Sequence, residues 1–212
     1  MKFTQLLFLT LLGSAQLVLA DDFKPPLRGA PEVRIGGGSR AIGMQLAKIT
    51  LLAPKEGGKT ASASPDLYWR LSKNLNVAVE IKLTAAGADT PALNISLSGL
   101  AAGLHKLSLS EYAVKLQPGV SYTWQTAIIW NAAQRSKDSL SSASVQYTPT
   151  NADLRKLAPR QLLEQGYGYD AISTVSAQID ANPDNPTLRE ERAALLEQLG
   201  QPDAAKIERS GK

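Results

Sequence analysis

Along this chain the hydrophobic residues recur at every second position from Met44 to Pro149, and from Thr150 onward at every third or fourth. Period two belongs to strands half buried in a sheet and period 3.6 to helices with one buried face, so the switch divides the chain into a β part and an α part. Asn76-Val77-Ala78-Val79-Glu80-Ile81-Lys82-Leu83 is the clearest strand: Val77, Val79, Ile81 and Leu83 fall on one face, Glu80 and Lys82 on the other. Similar short runs recur at Leu46 to Leu52, Leu67 to Leu71, Leu93 to Leu97, Leu104 to Leu109, Tyr122 to Trp130 and Ser144 to Tyr147. Pro65-Asp66, Gly87, Gly99, Gly103 and Gln117-Pro118-Gly119 separate them. About seven short strands with turn residues between them, and no helical stretch, predict an antiparallel β-sandwich over residues 44–149.

Leu116-Gln117-Pro118-Gly119-Val120-Ser121-Tyr122-Thr123-Trp124 resembles the corner of fibronectin type III domains, where a leucine and a Pro-Gly turn precede a strand whose tyrosine bonds back to the backbone. Asp66-Leu67-Tyr68-Trp69 is similar to their early tryptophan-bearing strand, so the resemblance implies a fibronectin-like or immunoglobulin-like sandwich. Trp69, Trp124 and Trp130 have two readings, packing in the core or an aromatic platform for a ligand.

In the α part, residues 150–212, a repeat appears: Leu154 and Leu188, Leu162 and Leu196, Gly166 and Gly200, and Ala171 and Ala205 are each 34 residues apart. That period belongs to tetratricopeptide helical hairpins. Gly166 and Gly200 suit the end of the first helix of each hairpin, while Ala171 and Ala205 are small enough for close helix packing. Gly166-Tyr167-Gly168-Tyr169-Asp170-Ala171-Ile172 and Asn182-Pro183-Asp184-Asn185 resemble that family's turn, second helix and closing proline. Ala171, Ile172, Val175 and Ile179 form the apolar stripe of the second helix. One and a half repeats are fewer than the three or so that stand alone, so this region is expected to lean on the sandwich or on a partner.

At the other end, Lys2 followed by Leu6, Leu7, Phe8, Leu9, Leu11 and Leu12 reads as the basic and apolar regions of a signal peptide over residues 1–20. Val18, Leu19 and Ala20 then set small or modest residues before a cleavage between Ala20 and Asp21. Gly13, Ser14 and Gln16 interrupt the apolar run, which falls short of the ~20 residues of a membrane span. No cysteine follows the cleavage site to carry a lipid, so a periplasmic or secreted product is expected, with no membrane span after cleavage. Residues 21–43, with Pro25, Pro26, Pro31 and five glycines, read as an extended arm.

Chemistry is sparse in this composition. Cysteine is absent, which excludes disulfides, thiolate metal sites and cysteine nucleophiles. The single histidine, His105, excludes any multi-histidine metal site, and the alternation of Leu104-His105-Lys106-Leu107 sets it on the polar face of a strand. Residues 21–149 carry 14 basic and 9 acidic side chains, against 8 and 10 from Thr150 on. The basic residues are scattered singly along strands, where nucleic acid binding needs a clustered face with aromatic platforms, so no nucleic acid partner is expected.

Two sets of residues are candidate anion or ligand contacts. Arg34-Ile35-Gly36-Gly37-Gly38-Ser39-Arg40 reads either as a nest of backbone N–H groups at Gly36, Gly37 and Gly38, flanked by Arg34 and Arg40, or as a flexible or strand-docking arm. No Lys-Ser, Lys-Thr or Gly-x-Gly-x-x-Gly pattern makes it a nucleotide loop. Arg135 and Asp138, three residues apart after the longest strand, read as a ligand-contacting loop or as a local ion pair. Asp66, Glu80 and Glu111 are the strand-region carboxylates from which a glycosidase-like pair would be drawn, about 5 to 9.5 Å apart across a cleft. Asn94-Ile95-Ser96 matches a glycosylation acceptor pattern and also the polar face of a strand.

The order and spacing of several short motifs resemble a bacterial exported family, domain of unknown function 928. They are Arg34 to Arg40, Leu51-Leu52-Ala53-Pro54, Pro65-Asp66-Leu67-Tyr68-Trp69, Pro118 to Trp124, Arg135-Ser136-Lys137-Asp138 and Gly166 to Ala171. The chain departs from that family in lacking the cysteine often found after its central tryptophan strand, with Asn131 nearby instead. The resemblance implies a cell-envelope location and no established activity. With no catalytic constellation, metal cluster or cofactor motif, a non-enzymatic binding or interaction protein is expected, its partner another envelope protein; the alternative is a carbohydrate-binding or carbohydrate-cleaving sandwich using Trp69, Trp124 and Trp130.

Overall fold

The computed structural model describes residues 46–210. The expected leader, the arm at 21–43 and the Arg34 to Arg40 run lie outside the described residues. Among the described residues, eight strands form two sheets: β1 (Ile49–Leu51), β2 (Gly58–Thr60), β3 (Asp66–Leu71), β4 (Val79–Ala85), β5 (Leu93–Leu97), β6 (Gly103–Ser108), β7 (Ser121–Ile128) and β8 (Ser139–Tyr147). One sheet has the order β1-β3-β6 and the other β2-β8-β7-β4-β5. Four helices follow, α1 (Pro159–Glu164), α2 (Gly168–Ala181), α3 (Pro186–Gln198) and α4 (Pro202–Arg209).

Side-chain alternation decides the stacking. In β4, Val79, Ile81 and Leu83 are buried while Glu80 and Lys82 lie on the outer face, as period two requires. Their inner face meets Leu67, Trp69 and Leu71 of β3, Ile49 and Leu51 of β1 and Leu107 of β6 in one hydrophobic core between the sheets. Strand β3 is buried on both faces. Leu67, Trp69 and Leu71 join that core, and Tyr68 points the other way into a second core with Leu52 and the helix residues Leu162, Ala171, Ile172, Val175, Leu195 and Leu196. The three-stranded sheet is therefore the middle layer, with the five-stranded sheet on one side and the helices on the other.

Three expectations are corrected. Strand β2 was not foreseen, and it pairs in parallel with β8, so the sheets are not wholly antiparallel. Gly58-Lys59-Thr60 is too short to show an alternation; its order comes from the open edge of β8 and from Pro54 and Tyr169, which crowd Gly58. His105 does not lie on the polar face. It sits opposite Trp69 in the β3–β6 register and stacks on the indole, ring centroids 4.3 Å apart, on the same side as Leu107. The strand's other side faces the helices, where Leu104 packs and Lys106 is exposed, so each face carries one apolar and one polar residue. The β region also contains short 3-10 turns at Leu109–Tyr112 and Arg135–Lys137.

The helices come as two pairs. Gly166 and Gly200 follow α1 and α3 with φ of 84° and 78°, a left-handed conformation that ends each helix at little steric cost. The pairs thus break at positions related by the 34-residue repeat. Ahead of β7, the Gln117 N–H donates to the Tyr122 hydroxyl at 3.2 Å. Segment 52–57 then ties helices to sheets, with the Lys55 N–H donating to Leu199 O at 3.0 Å and Gln201 Nε2 to Ala53 O at 3.0 Å. Pro54 lies against Gly168 so closely that a Cβ there would come within 2.9 Å of it.

Candidate functional site

Thr60, Ser62, Ser64 and Asp66 follow one another at every second position in a segment bent at Ala61, Ala63 and Ser64, where the Ser62 N–H donates to Thr60 Oγ1 and the Ser64 N–H to Ser62 Oγ, and all four line one cavity. Tyr169, Asp170 and Ser173 at the start of α2 close its other wall, enclosing about 140 Å³. Asp170 is the third residue of α2, where the free N–H groups of a helix start favour negative charge. Its Oδ2 accepts from the Ala61 N–H at 3.0 Å. Burial nevertheless pushes its carboxyl above the ordinary range, against the hydrogen bonds from Ala61 and the Thr60 side chain. Asp66, across the cavity, is held by the Ser108 hydroxyl. The cavity presents two carboxylates and a row of hydroxyls, a set that can hydrogen-bond a polyol or ammonium group.

A second and larger cavity, 330 Å³, opens where the helix-facing side of the middle sheet meets α4. Lys48, Thr50, Arg70, Leu71 and Ser72 form its sheet side, and Asp203, Ile207 and Ser210 its helix side. Behind Arg70 lies a buried ion cluster. Arg192 grips Glu208 Oε2 through two nitrogens at 2.8 and 2.6 Å and donates to Ser176 Oγ at 3.1 Å, while Arg70 donates to Glu208 Oε1 at 3.1 Å. One carboxylate thus serves two guanidiniums, whose side chains are 6% and 14% exposed. Burial, partly opposed by Glu208 and reinforced by Arg192 and Arg189, pulls the Arg70 pKa below arginine's ordinary value. An arginine so placed stays charged and is left in want of a second anion.

Of the residues singled out from sequence, Arg135 and Asp138 are brought together at 2.6 Å, and Glu80 joins them, accepting two hydrogen bonds from Arg135 at 3.0 and 2.8 Å. Asp138 has its other oxygen buried without a partner among the described residues. Arg135 is thereby engaged on both sides, tying the segment after β7 to the outer face of β4, and its donors hold the Glu80 carboxyl below the usual range. Glu80 stands on the five-stranded sheet and Asp66 on the three-stranded one, each engaged elsewhere, while Glu111 lies in the exposed 3-10 turn; no pair forms. Trp69 and Trp124 are closed to solvent, and Trp130 is partly buried with Nε1 on Ser139 Oγ at 2.9 Å. Asn94 and Ser96 lie on the exposed face of β5, an edge strand. Arg34, Gly36, Gly37, Gly38 and Arg40 lie outside the described residues.

Sequence reasoning missed both cavities. The hydroxyl row had a readable signal in the alternation from Thr60 to Asp66, but nothing marked Tyr169, Asp170 and Ser173 as its opposite wall. The Arg70–Glu208 pair, 138 residues apart, had no signal at all. Among the described residues no group of three or more His, Cys, Asp or Glu side chains could hold a metal ion, and no helix is long and apolar enough to cross a membrane.

No curated protein matches the sequence. Among solved structures the chain is similar to an engineered protein determined at 1.98 Å, with 17% identity over 49% of this chain and a TM-score of 0.33. The chain spans a fifth of that protein's length, 20%, and a likeness so slight carries no argument about fold or activity. A family model, by contrast, matches residues 35–208, from the glycine run through the buried Glu208 of α4. The chain belongs to the family described as Domain of Unknown Function (DUF928).

Proposed function

We propose that this chain is a non-enzymatic binding and interaction protein of the bacterial cell envelope, exported by its leader and acting in the periplasm or outside the cell. The observation that carries the reading is the position of the cavities at Asp170 and at Arg70: each is lined jointly by sheet and helix residues, at the seam between the layers. Concave sites with a few convergent polar groups between packed layers are where ligands bind. The fibronectin-like corner at Gln117 and Tyr122, and the helix pairs spaced by 34 residues, support a sandwich of that kind joined to a tetratricopeptide-like hairpin. Relatives of both elements commonly serve as binding modules.

A carbohydrate-binding reading draws on one specific feature, the hydroxyl row at Thr60, Ser62 and Ser64 with Asp66 and Asp170, which matches the hydrogen-bonding needs of a sugar. The tryptophans do not serve it, because Trp69 and Trp124 are in the core.

Photo-cross-linking in living cells tests the leading reading. A cross-linkable residue at Ser72 or Asp203, on the seam, is expected to capture a defined envelope molecule, and one at Asn94, on the outer face of β5, is not. Equal labelling from both faces, or none from the seam, overturns it.

A further inference from the structure

The cavity at Arg70 combines three features that together select a ligand. First, its lining is mainly apolar, with Ala102 on the sheet side and Ile207 on the helix side supplying side-chain hydrocarbon. Second, its charge is unbalanced: its charged lining residues are Lys48, Arg70 and Asp203, and Arg70 shares its one carboxylate partner, Glu208, with Arg192 behind it. Third, the cation nearest the apolar floor has donors to offer. Arg70 gives Glu208 a hydrogen bond from Nη1, and its other guanidinium nitrogens have no hydrogen-bond partner among the described residues.

A guanidinium with open donors at the end of an apolar slot matches a carboxylate attached to a hydrocarbon. A neutral lipid would leave those donors unpaired. A bare inorganic anion would leave the hydrocarbon wall wet, and an extended peptide would bring amide groups against a lining with few polar partners. At 330 Å³ the cavity is at the small end of ligand sites and suits a chain of medium length.

We propose that this groove binds a medium-chain carboxylic acid, its carboxylate paired with Arg70 and Lys48 and its hydrocarbon laid along Ile207 and Ala102. This rests on the reading of the chain as a binding protein and names a ligand class for the cavity at Arg70. Glu208 has a defined part in it: shared between Arg192 and Arg70, it fixes the Arg70 guanidinium at the groove while leaving one positive charge uncompensated. Asp203, on the opposite wall, opposes the ligand's charge.

Titration calorimetry on the full mature chain, with decanoate, decanol and decyltrimethylammonium as probes, decides the matter. Decanoate is expected to bind saturably at one site, with decanol and the cation weaker by about tenfold or more, the loss that accompanies one charge-assisted hydrogen bond. Lys48→Met, at an exposed position, should weaken decanoate alone, Asp203→Asn should strengthen it, and Ala102→Trp should block all three probes. Arg70→Met should abolish the preference for decanoate; because Arg70 also braces Glu208, Lys48→Met and Asp203→Asn keep the test independent of folding. Equal affinity for decanoate and decanol, indifference to Lys48 and Asp203, or tighter binding of a peptide with an apolar C-terminus would each overturn the proposal. Seam-specific cross-linking without decanoate binding would sink this ligand assignment and leave the binding-protein reading standing, whereas loss of both would sink the two together.

Discussion

The Tyr169 hydroxyl, carried on the first turn of a helix, accepts the indole N–H of Trp124 at 3.0 Å and donates to the Ser144 carbonyl at 2.9 Å, inside the core between the sheets. A helix residue thus completes the hydrogen bonding of the β core, and the helices are a structural part of it. Trp124 is fully buried, so its N–H has no water to fall back on. Tyr169→Phe keeps the ring and strands both partners. The expected cost is about 1–3 kcal/mol, the penalty for buried polar groups left unsatisfied, seen as a lower urea midpoint and altered Trp124 fluorescence. An unchanged midpoint would show that the hydroxyl is not a stabilising link.

The same coupling predicts what truncation does. Leu52, Tyr68 and Leu104 pack against the helices, so a chain ending at Thr150 would expose that patch of the middle sheet. It should melt lower than the full chain or aggregate, and the full chain should unfold in one transition. Ala171, fully buried at the helix–sheet contact, provides a point test: Ala171→Leu should cost ~1–3 kcal/mol through overpacking. Identical melting of truncated and full chains, with the excised helices still folded by circular dichroism, would mean two independent units.

Two carboxylates should titrate on opposite sides of their ordinary values. Burial holds Asp170 above, so across the interval from about pH 3.9 up to its folded-state pKa the native state binds more protons than the unfolded one and stability falls as pH rises. Asp170→Asn removes that slope and should raise stability at neutral pH, since the amide oxygen can still accept from the Ala61 N–H. Glu80, held below by hydrogen bonds from Arg135, stabilises the fold above its ordinary value of about 4.3, and that contribution is lost as pH falls through its lower folded value. Carboxyl carbon NMR across an acid titration reads both directly; midpoints displaced in the same direction would contradict the assigned causes.

Glu208 should be the most costly surface-to-core charge to remove from the helices. Its side chain is 4% exposed and neutralises Arg192, 6% exposed. Glu208→Ala leaves that guanidinium buried without a carboxylate and is expected to cost about 3–5 kcal/mol. Arg192→Met with Glu208→Leu should cost less than Glu208→Ala alone, because it removes the more deeply buried guanidinium together with its carboxylate and leaves only the more exposed Arg70 without that partner. Chemical denaturation of the two variants ranks them, and the reverse order would show that the ion pair, not the avoidance of a lone charge, holds the layer.

Much of the fold was legible without coordinates, because period two and period 3.6 are local consequences of backbone geometry. Val79, Ile81 and Leu83 of β4, the apolar stripe of α2 and the helix-ending Gly166 and Gly200 all lie where the sequence puts them. Local pattern also singled out Arg135 and Asp138, three residues apart, as a ligand-contacting loop or a local ion pair, and the ion pair forms. Tertiary structure alone decided the rest. Alternation tells which residues share a face but not what covers it, so His105 and Leu104, on opposite faces of β6, are both covered, one against Trp69 and one toward the helices. Strand β2 has no pattern of its own and is ordered by a neighbour's open edge. Both cavities and the Arg70–Glu208–Arg192 cluster join residues far apart in sequence, whose approach depends on three layers stacking in one order, and no period in a linear chain records that order.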